Sequence, residues 1–309
     1  MKRRGPDARV WLVAVMIASH VAPASAADVS AGVPGGLQVW FAINYLNGAP
    51  DGPKLMRADL SSGEVEEIGF FGIPGATAGA LTFHPSGTLF AIDYVEDRLL
   101  TVDPVTGAAH VVGPLGLGIG SYSAAFTADA CGRLWLLAYT QGGATVLHEL
   151  DPESGLATPG VPTAETVLGV AANGEALVGI AAADLSRLVR IDPATGEVDD
   201  VLSLEAGNYL PLDLEYSPDG DLWGAGFLNV PIDPLPSAEF RIDPAGRVFP
   251  VRAPFYTSSF AISAPPGACG GSPAPAIPAA SSAGLAVLAT LLAVGGATLV
   301  RRRGTAPQR

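Results

Sequence analysis

Asp213 and Glu215 stand two residues apart in Leu212-Asp213-Leu214-Glu215-Tyr216, so an extended backbone sends both carboxylates to one side. Two carboxyl groups converging on a pocket are the equipment of glycoside hydrolysis, one acting as acid and the other as base or nucleophile. Asp93 and Asp129 are further acids near strand ends. No G-x-S-x-G nucleophile turn occurs. His84 precedes a proline in a turn, His110 and His148 fall in separate strands, and no two histidines have metal-ligand spacing. No cofactor is implied. An acidic exported chain is compatible with a structural calcium ion, but neither an EF-hand loop nor an Asp-rich nonapeptide is present. Asp199, Asp200, Glu64, Glu66 and Glu67 read as solvated charge.

A second set of residues suits binding rather than catalysis. Tyr122, Tyr209 and Tyr256 each precede a candidate strand, with Asn208 beside one of them and Tyr94, Asp97 and Tyr139 near related loops. Aromatic faces beside amides and carboxylates combine stacking area with hydrogen bonding, which fits a glycan or a peptide.

The elements that position these groups repeat. One phrase recurs, a short apolar strand ending in Asp-Pro-x-Thr/Ser-Gly: Asp103 to Gly107, Asp151 to Gly155 and Asp192 to Gly196, with looser copies from Asp59 and Asp243. The aspartates are spaced by 44, 48, 41 and 51 residues, near the period of a four-stranded propeller blade. In such a hairpin Asp accepts from the turn backbone, Pro presets φ, and Gly supplies a positive φ. Innermost strands are predicted at 80–84, 124–128, 169–173, 212–216 and 259–263, and second strands at 89–94, 134–139, 176–181, 222–227 and 40–45.

The N-terminus therefore lacks one innermost strand and the C-terminus supplies it. This predicts an all-β, five-bladed propeller over 37–263, closed by strands from both ends. A β-sandwich also alternates, but does not explain the constant period. In the ring, Cys131 follows one innermost strand and Cys269 follows the last, on the same side, so export would permit a disulfide between them; a free pair is the alternative.

Both ends read as addresses. Residues 1–26 have a basic start, a short apolar run and Ala24-Ser25-Ala26, the pattern of a secretory signal peptide. Residues 264–283 are rich in Pro, Ala, Gly and Ser, a tether. Residues 284–300 are uncharged and just long enough to span a bilayer, and the tail 301–309 opens with Arg301, Arg302 and Arg303, which hold that side in the cytoplasm. Ile277, Pro278, Ser281, Gly284 and Leu285, followed by the apolar run and the arginines, resemble the bacterial IPTL-CTERM sorting signal, a relative of PEP-CTERM. Ala279, Ala280 and Ala283 depart from its pattern. The resemblance implies a Gram-negative exported protein handled by the export machinery and an exosortase-like sorting protease at the inner membrane. Retention as a permanent anchor and release to the cell surface or extracellular matrix are both open. The body loosely resembles secreted NHL and YVTN repeat propellers through the generic Asp-Pro-x-Thr-Gly hairpin.

The whole chain carries 17 basic and 30 acidic residues, a net charge of −13. Eight of the basic residues lie in the two terminal segments, leaving nine against 29 acids in the exported part. Such a surface argues against nucleic acid as a partner. The expectation is an exported, surface-associated propeller acting as a ligand-binding or scaffold module. The alternative is a propeller hydrolase or lyase acting on a polysaccharide or small lactone.

Overall fold

The computed structural model describes residues 36–44, 50–118, 122–139, 144–204, 209–228, 237–251, 260–262 and 269. The expected signal peptide, membrane segment, basic tail and sorting-motif residues lie outside these, as do Asn208 and Tyr256. Among the described residues no helix is long and apolar enough to cross a membrane.

Five four-stranded antiparallel sheets make up the body. Blade 1 takes its strands from both ends of the body: β1 (Gln38–Ile43), β2 (Lys54–Asp59) and β3 (Val65–Phe70) are joined at the inner edge by β20 (Phe260–Ala261). Blade 2 contains β4 (Ala78–Phe83), β5 (Leu89–Asp93), β6 (Arg98–Val102) and β7 (Ala109–Pro114). Blade 3 contains β8 (Tyr122–Ala128), β9 (Leu134–Tyr139), β10 (Thr145–Leu150) and β11 (Val161–Pro162). Blade 4 contains β12 (Val167–Asn173), β13 (Ala176–Ala181), β14 (Arg187–Ile191) and β15 (Val198–Ser203). Blade 5 contains β16 (Tyr209–Tyr216), β17 (Leu222–Leu228), β18 (Ser237–Ile242) and β19 (Val248–Val251). The protein is an all-β, five-bladed propeller whose first blade is closed by the last strand.

Buried side chains pack between successive blades rather than around one centre. Ala80, Phe90 and Ile92 of blade 2 meet Phe126, Leu134 and Leu136 of blade 3. Ala171, Val178 and Ile180 of blade 4 meet Leu214, Tyr216 and Phe240 of blade 5. At the closing joint Trp223 and Ala225 of blade 5 meet Val39, Phe41, Phe260 and Ile262 of blade 1. Period-two alternation explains this arrangement, because a strand buried on both faces offers one row of side chains to each neighbouring blade.

The Asp hairpins show why the phrase repeats. Asp103 Oδ1 accepts from the Val105 and Thr106 N–H groups at 2.8 and 3.3 Å, and Asp192 Oδ1 accepts from Ala194 and Thr195 at 2.7 and 3.2 Å. Gly107 and Gly196 then take φ of 78° and 75°. The same glycines dock each hairpin on the outer strand of the preceding blade. A Cβ on Gly107 would lie 2.5 Å from the Gly69 carbonyl oxygen, and one on Gly196 2.0 Å from that of Pro162. Gly63, with φ of 74°, has nothing within 4 Å of its added Cβ among the described residues.

Three details differ from the sequence expectations. Innermost strands β8 and β16 begin earlier than predicted, at Tyr122 and Tyr209, because a register shift follows the first residues of each. β4 and β12 carry the same irregularity, so four of the five innermost strands bulge where they enter the ring. The outer strand of blade 3 is only two residues long, and Pro162, which lacks an N–H, ends it. The closing strand also ends earlier than expected, at Ala261 rather than 263, with residues 252–259 before it outside the described residues.

Alanine at Gly63 should cost roughly 1 kcal/mol through its positive φ. Gly107→Ala and Gly196→Ala should each lose roughly a further 1–3 kcal/mol, because a carbonyl oxygen occupies the space of the new methyl. Urea denaturation of the three variants checks this; equal losses would contradict the docking role.

Candidate functional site

Asp213 and Glu215 sit on β16 at the axis of the ring, 1% and 3% exposed. The shift at Leu212 turns the strand just before Asp213. Asp213 Oδ1 accepts from the Leu214 N–H at 3.1 Å, and Oδ2 accepts from the Phe260 N–H at 3.1 Å. The second bond crosses from blade 5 to the closing strand. Glu215 hydrogen-bonds the side chain of Thr82, on the innermost strand of blade 2. Its Oε1 has no partner among the described residues, nor has the hydroxyl of Thr127 on β8. Burial, reinforced by the charge of Asp213, pushes the Glu215 carboxyl well above the usual range. Innermost strands β8 and β16, which are not neighbours in the ring, approach each other across the axis.

The other two acids do not join this pair. Asp93, at the end of β5, accepts from the Thr77 N–H at 3.1 Å and from Arg98 Nε at 2.9 Å. Asp129, just past β8, accepts from the N–H groups of Cys131 and Arg133, from Arg133 Nε at 2.6 Å and from Trp135 Nε1 at 2.9 Å. Both are fully buried. Because β5 runs antiparallel to innermost strands, Asp93 lies at the opposite end of the ring from Asp129. The expected catalytic set is therefore dispersed: one axial pair and two turn anchors on different faces.

The two faces differ in kind. One carries the Asp-Pro hairpins and the turns after innermost strands, which we call the hairpin face. The other carries the turns after second strands and the entries to innermost strands, which we call the loop face. Tyr122 and Tyr209 open β8 and β16 on the loop face, with their backbones paired to Tyr139 and Leu228.

Between blades 2 and 3 the loop face holds a small recess of about 20 Å³, room for about one water molecule and partly open to solvent. Ile92, Leu115, Leu117, Leu136 and Ala138 line it, and Tyr94 and Asp97 border it. Asp97 has φ of 52° and its Oδ2 accepts from the N–H groups of Leu117 and Gly118 at 3.0 and 2.9 Å, which fixes the loop wall. The Tyr94 ring lies where a side chain on Gly79 would go, 2.3 Å from its added Cβ, so the bulged glycine seats the tyrosine. Tyr94 remains 43% exposed, and burial and the Asp93 charge raise its hydroxyl pKa. Leu115 and Leu117 escaped the sequence reading; their signal is the alternation with Gly116 and Gly118, both at positive φ.

A disulfide joins Cys131 to Cys269, with Cα atoms 4.5 Å apart. Glu175 lies beside the two sulfurs, but bonded cysteines are not thiolate ligands, and the Glu175 carboxylate pairs with Arg133. The charges expected to be solvated are exposed, and four of the five also form cross-strand ion pairs. Asp199 pairs with Arg190 and Asp200 with Arg187, while Glu66 pairs with Arg57 and Glu67 with Lys54. Neighbouring strands place opposite charges within reach.

No protein-family model matches the chain, and no curated protein matches its sequence. Among solved structures, virginiamycin B lyase from Staphylococcus aureus is similar at 18% identity and a TM-score of 0.43, over 69% of this chain and 65% of that one. The match thus spans less than two thirds of the lyase. TolB from Acinetobacter baumannii aligns at 14% identity and a TM-score of 0.47, over 72% of this chain and 55% of that one. A gluconolactonase from Xanthomonas campestris aligns at 14% identity and a TM-score of 0.44, over 72% and 80%.

The axial acid sets a pH dependence. A carboxyl whose folded pKa is raised stabilises the fold fully below its unfolded value, near pH 4.3, and that contribution is lost as pH rises through the folded value. Wild-type stability should therefore fall with pH above that point relative to Glu215→Gln, by up to about 1.4 kcal/mol per pH unit. The hairpin acids act in the opposite sense. The Ser61 hydroxyl lowers the Asp59 pKa, the Val105 N–H that of Asp103, and the Ser154 hydroxyl that of Asp151, so their stabilisation is lost only in acid. Denaturant melts from pH 4 to pH 8 check this; parallel curves for wild type and Glu215→Gln would contradict the buried neutral carboxyl.

Proposed function

We propose that this protein is an exported, surface-associated propeller that binds a glycan or peptide through its loop face and is sorted or anchored through its C-terminus. The observation that carries the reading is how the four acids are employed. Asp93 and Asp129 hold turns, Asp213 holds the closing strand, and Glu215 is enclosed at the axis. A carboxylate already bound to backbone N–H groups or to arginine is poorly placed to attack a substrate or relay its protons. The loop face combines an apolar recess, the exposed Tyr94 ring and the carboxylate of Asp97. Stacking area beside a fixed polar group is what sugar rings and peptide side chains require. Export follows from the signal-peptide pattern, and the apolar segment with its arginines supports anchoring.

The alternative, a hydrolase or lyase for a polysaccharide or small lactone, is favoured by one observation. Asp213 and Glu215 are adjacent carboxyls, with Glu215 driven toward its neutral form. Such a separation of roles is how acid–base pairs are built. It requires the ring to open enough to admit substrate to the axis.

The two readings separate in one set of assays on residues 27–283. Glycan and peptide arrays should show binding by wild type that falls at least roughly tenfold in Tyr94→Ala and in one or more of Tyr122→Ala, Tyr209→Ala and Tyr256→Ala, as loss of a stacking ring implies. Glu215→Gln should bind as wild type does. Binding unchanged in all four tyrosine variants would remove the loop face from the account. Turnover of a polysaccharide or lactone that Glu215→Gln abolishes would establish the alternative.

A further inference from the structure

The closing strand ends at Ala261, and the chain beyond it is fixed again at Cys269. That residue is bonded to Cys131 in the turn between β8 and β9, which lies on the hairpin face of blade 3. Ile262, just past β20, also leaves the ring on the hairpin face, since β20 runs antiparallel to β1 and β1 begins on that face. The chain thus exits blade 1, crosses to blade 3 and is bonded there before the segment 270–283 begins. The hairpin face itself bears exposed acids, among them Asp103, Asp151 and Asp192, which disfavour adsorption to an anionic bilayer and leave the chain itself as the link.

We propose that the Cys131–Cys269 disulfide is the mounting point of the C-terminal tether, so that the anchored propeller holds its hairpin face toward the membrane and presents its loop face outward. This rests on the anchoring reading above. Fourteen residues reach at most about 50 Å when extended and about 20 Å on average as a flexible coil. To turn the loop face inward, the tether would have to pass the full height of the ring, about 20–27 Å for strands of six to eight residues, as well as reach its rim. That is more than its average coil length. Without the disulfide the free segment would run from 263 to 283, half as long again. The bond also diverts any pull on the anchor to blade 3, away from the two paired residues of β20.

Two surface positions of blade 2 report the orientation. Val105, 79% exposed, lies in the hairpin-face turn, and Val95, 40% exposed, lies in the loop-face turn. Full-length protein would be labelled at Val105→Cys or Val95→Cys under oxidising conditions. It would then be reconstituted into phosphatidylcholine vesicles containing a headgroup-nitroxide phosphatidylcholine. The proposal expects the Val105 label to be quenched several-fold more than the Val95 label, and this contrast to shrink when Cys131→Ser and Cys269→Ser are added. Equal or reversed quenching in protein that sediments with vesicles overturns the orientation. A contrast undiminished by the serine substitutions overturns the role of the disulfide. Protein that does not sediment with vesicles overturns the anchoring reading itself, and the orientation with it.

Discussion

The bond from the Phe260 N–H to the Asp213 carboxylate is the contact on which the ring depends. Blades 2 to 5 are each a continuous stretch of chain, but blade 1 must recruit β20 from more than 200 residues away. Among the described residues, Phe260 and Ala261 are the part of that strand paired with β1. A charge-assisted bond at a site excluded from water contributes roughly 1.5–3 kcal/mol, about that of two ordinary backbone hydrogen bonds. Phe260 and Ile262 add apolar contact with Phe41 and Trp223 at the same joint. An acid that looked like half of a catalytic pair is thus employed in closing the fold.

The other joints rest on a different principle. Hairpin glycines let backbone meet backbone at the outer edge, while the apolar rows of adjacent blades meet further in. Each joint is local, linking sequence neighbours, as expected of a repeat architecture. Asp213 belongs to the joint that must link the two ends of the body, which are not neighbours in sequence.

Much of this was legible from the sequence. Asp-Pro-x-Thr-Gly at a near-constant period implied the hairpins, their order and the shared first blade, because turn chemistry is local and needs no partner. The roles of Asp93, Asp129 and Asp213 were not legible. Their partners, Arg98, Trp135 and Phe260, are set by strand register and ring closure, and for Asp213 the partner is a backbone N–H that no residue type advertises. The bulges entering the innermost strands were hidden as well, since Gly79 and Gly169 read as ordinary small residues until their register is known. Nor did the acids on the outer strands reveal that arginines one strand away would pair with them.

Native-state hydrogen exchange at Phe260 tests the closure most directly. In wild-type protein the Phe260 amide should exchange slowly, at a rate comparable to the amides of β1, and in Asp213→Ala it should accelerate far more than amides of blade 3. An Asp213→Ala protein whose Phe260 amide stays as protected as in wild type would contradict the claim that this carboxylate holds the ring shut.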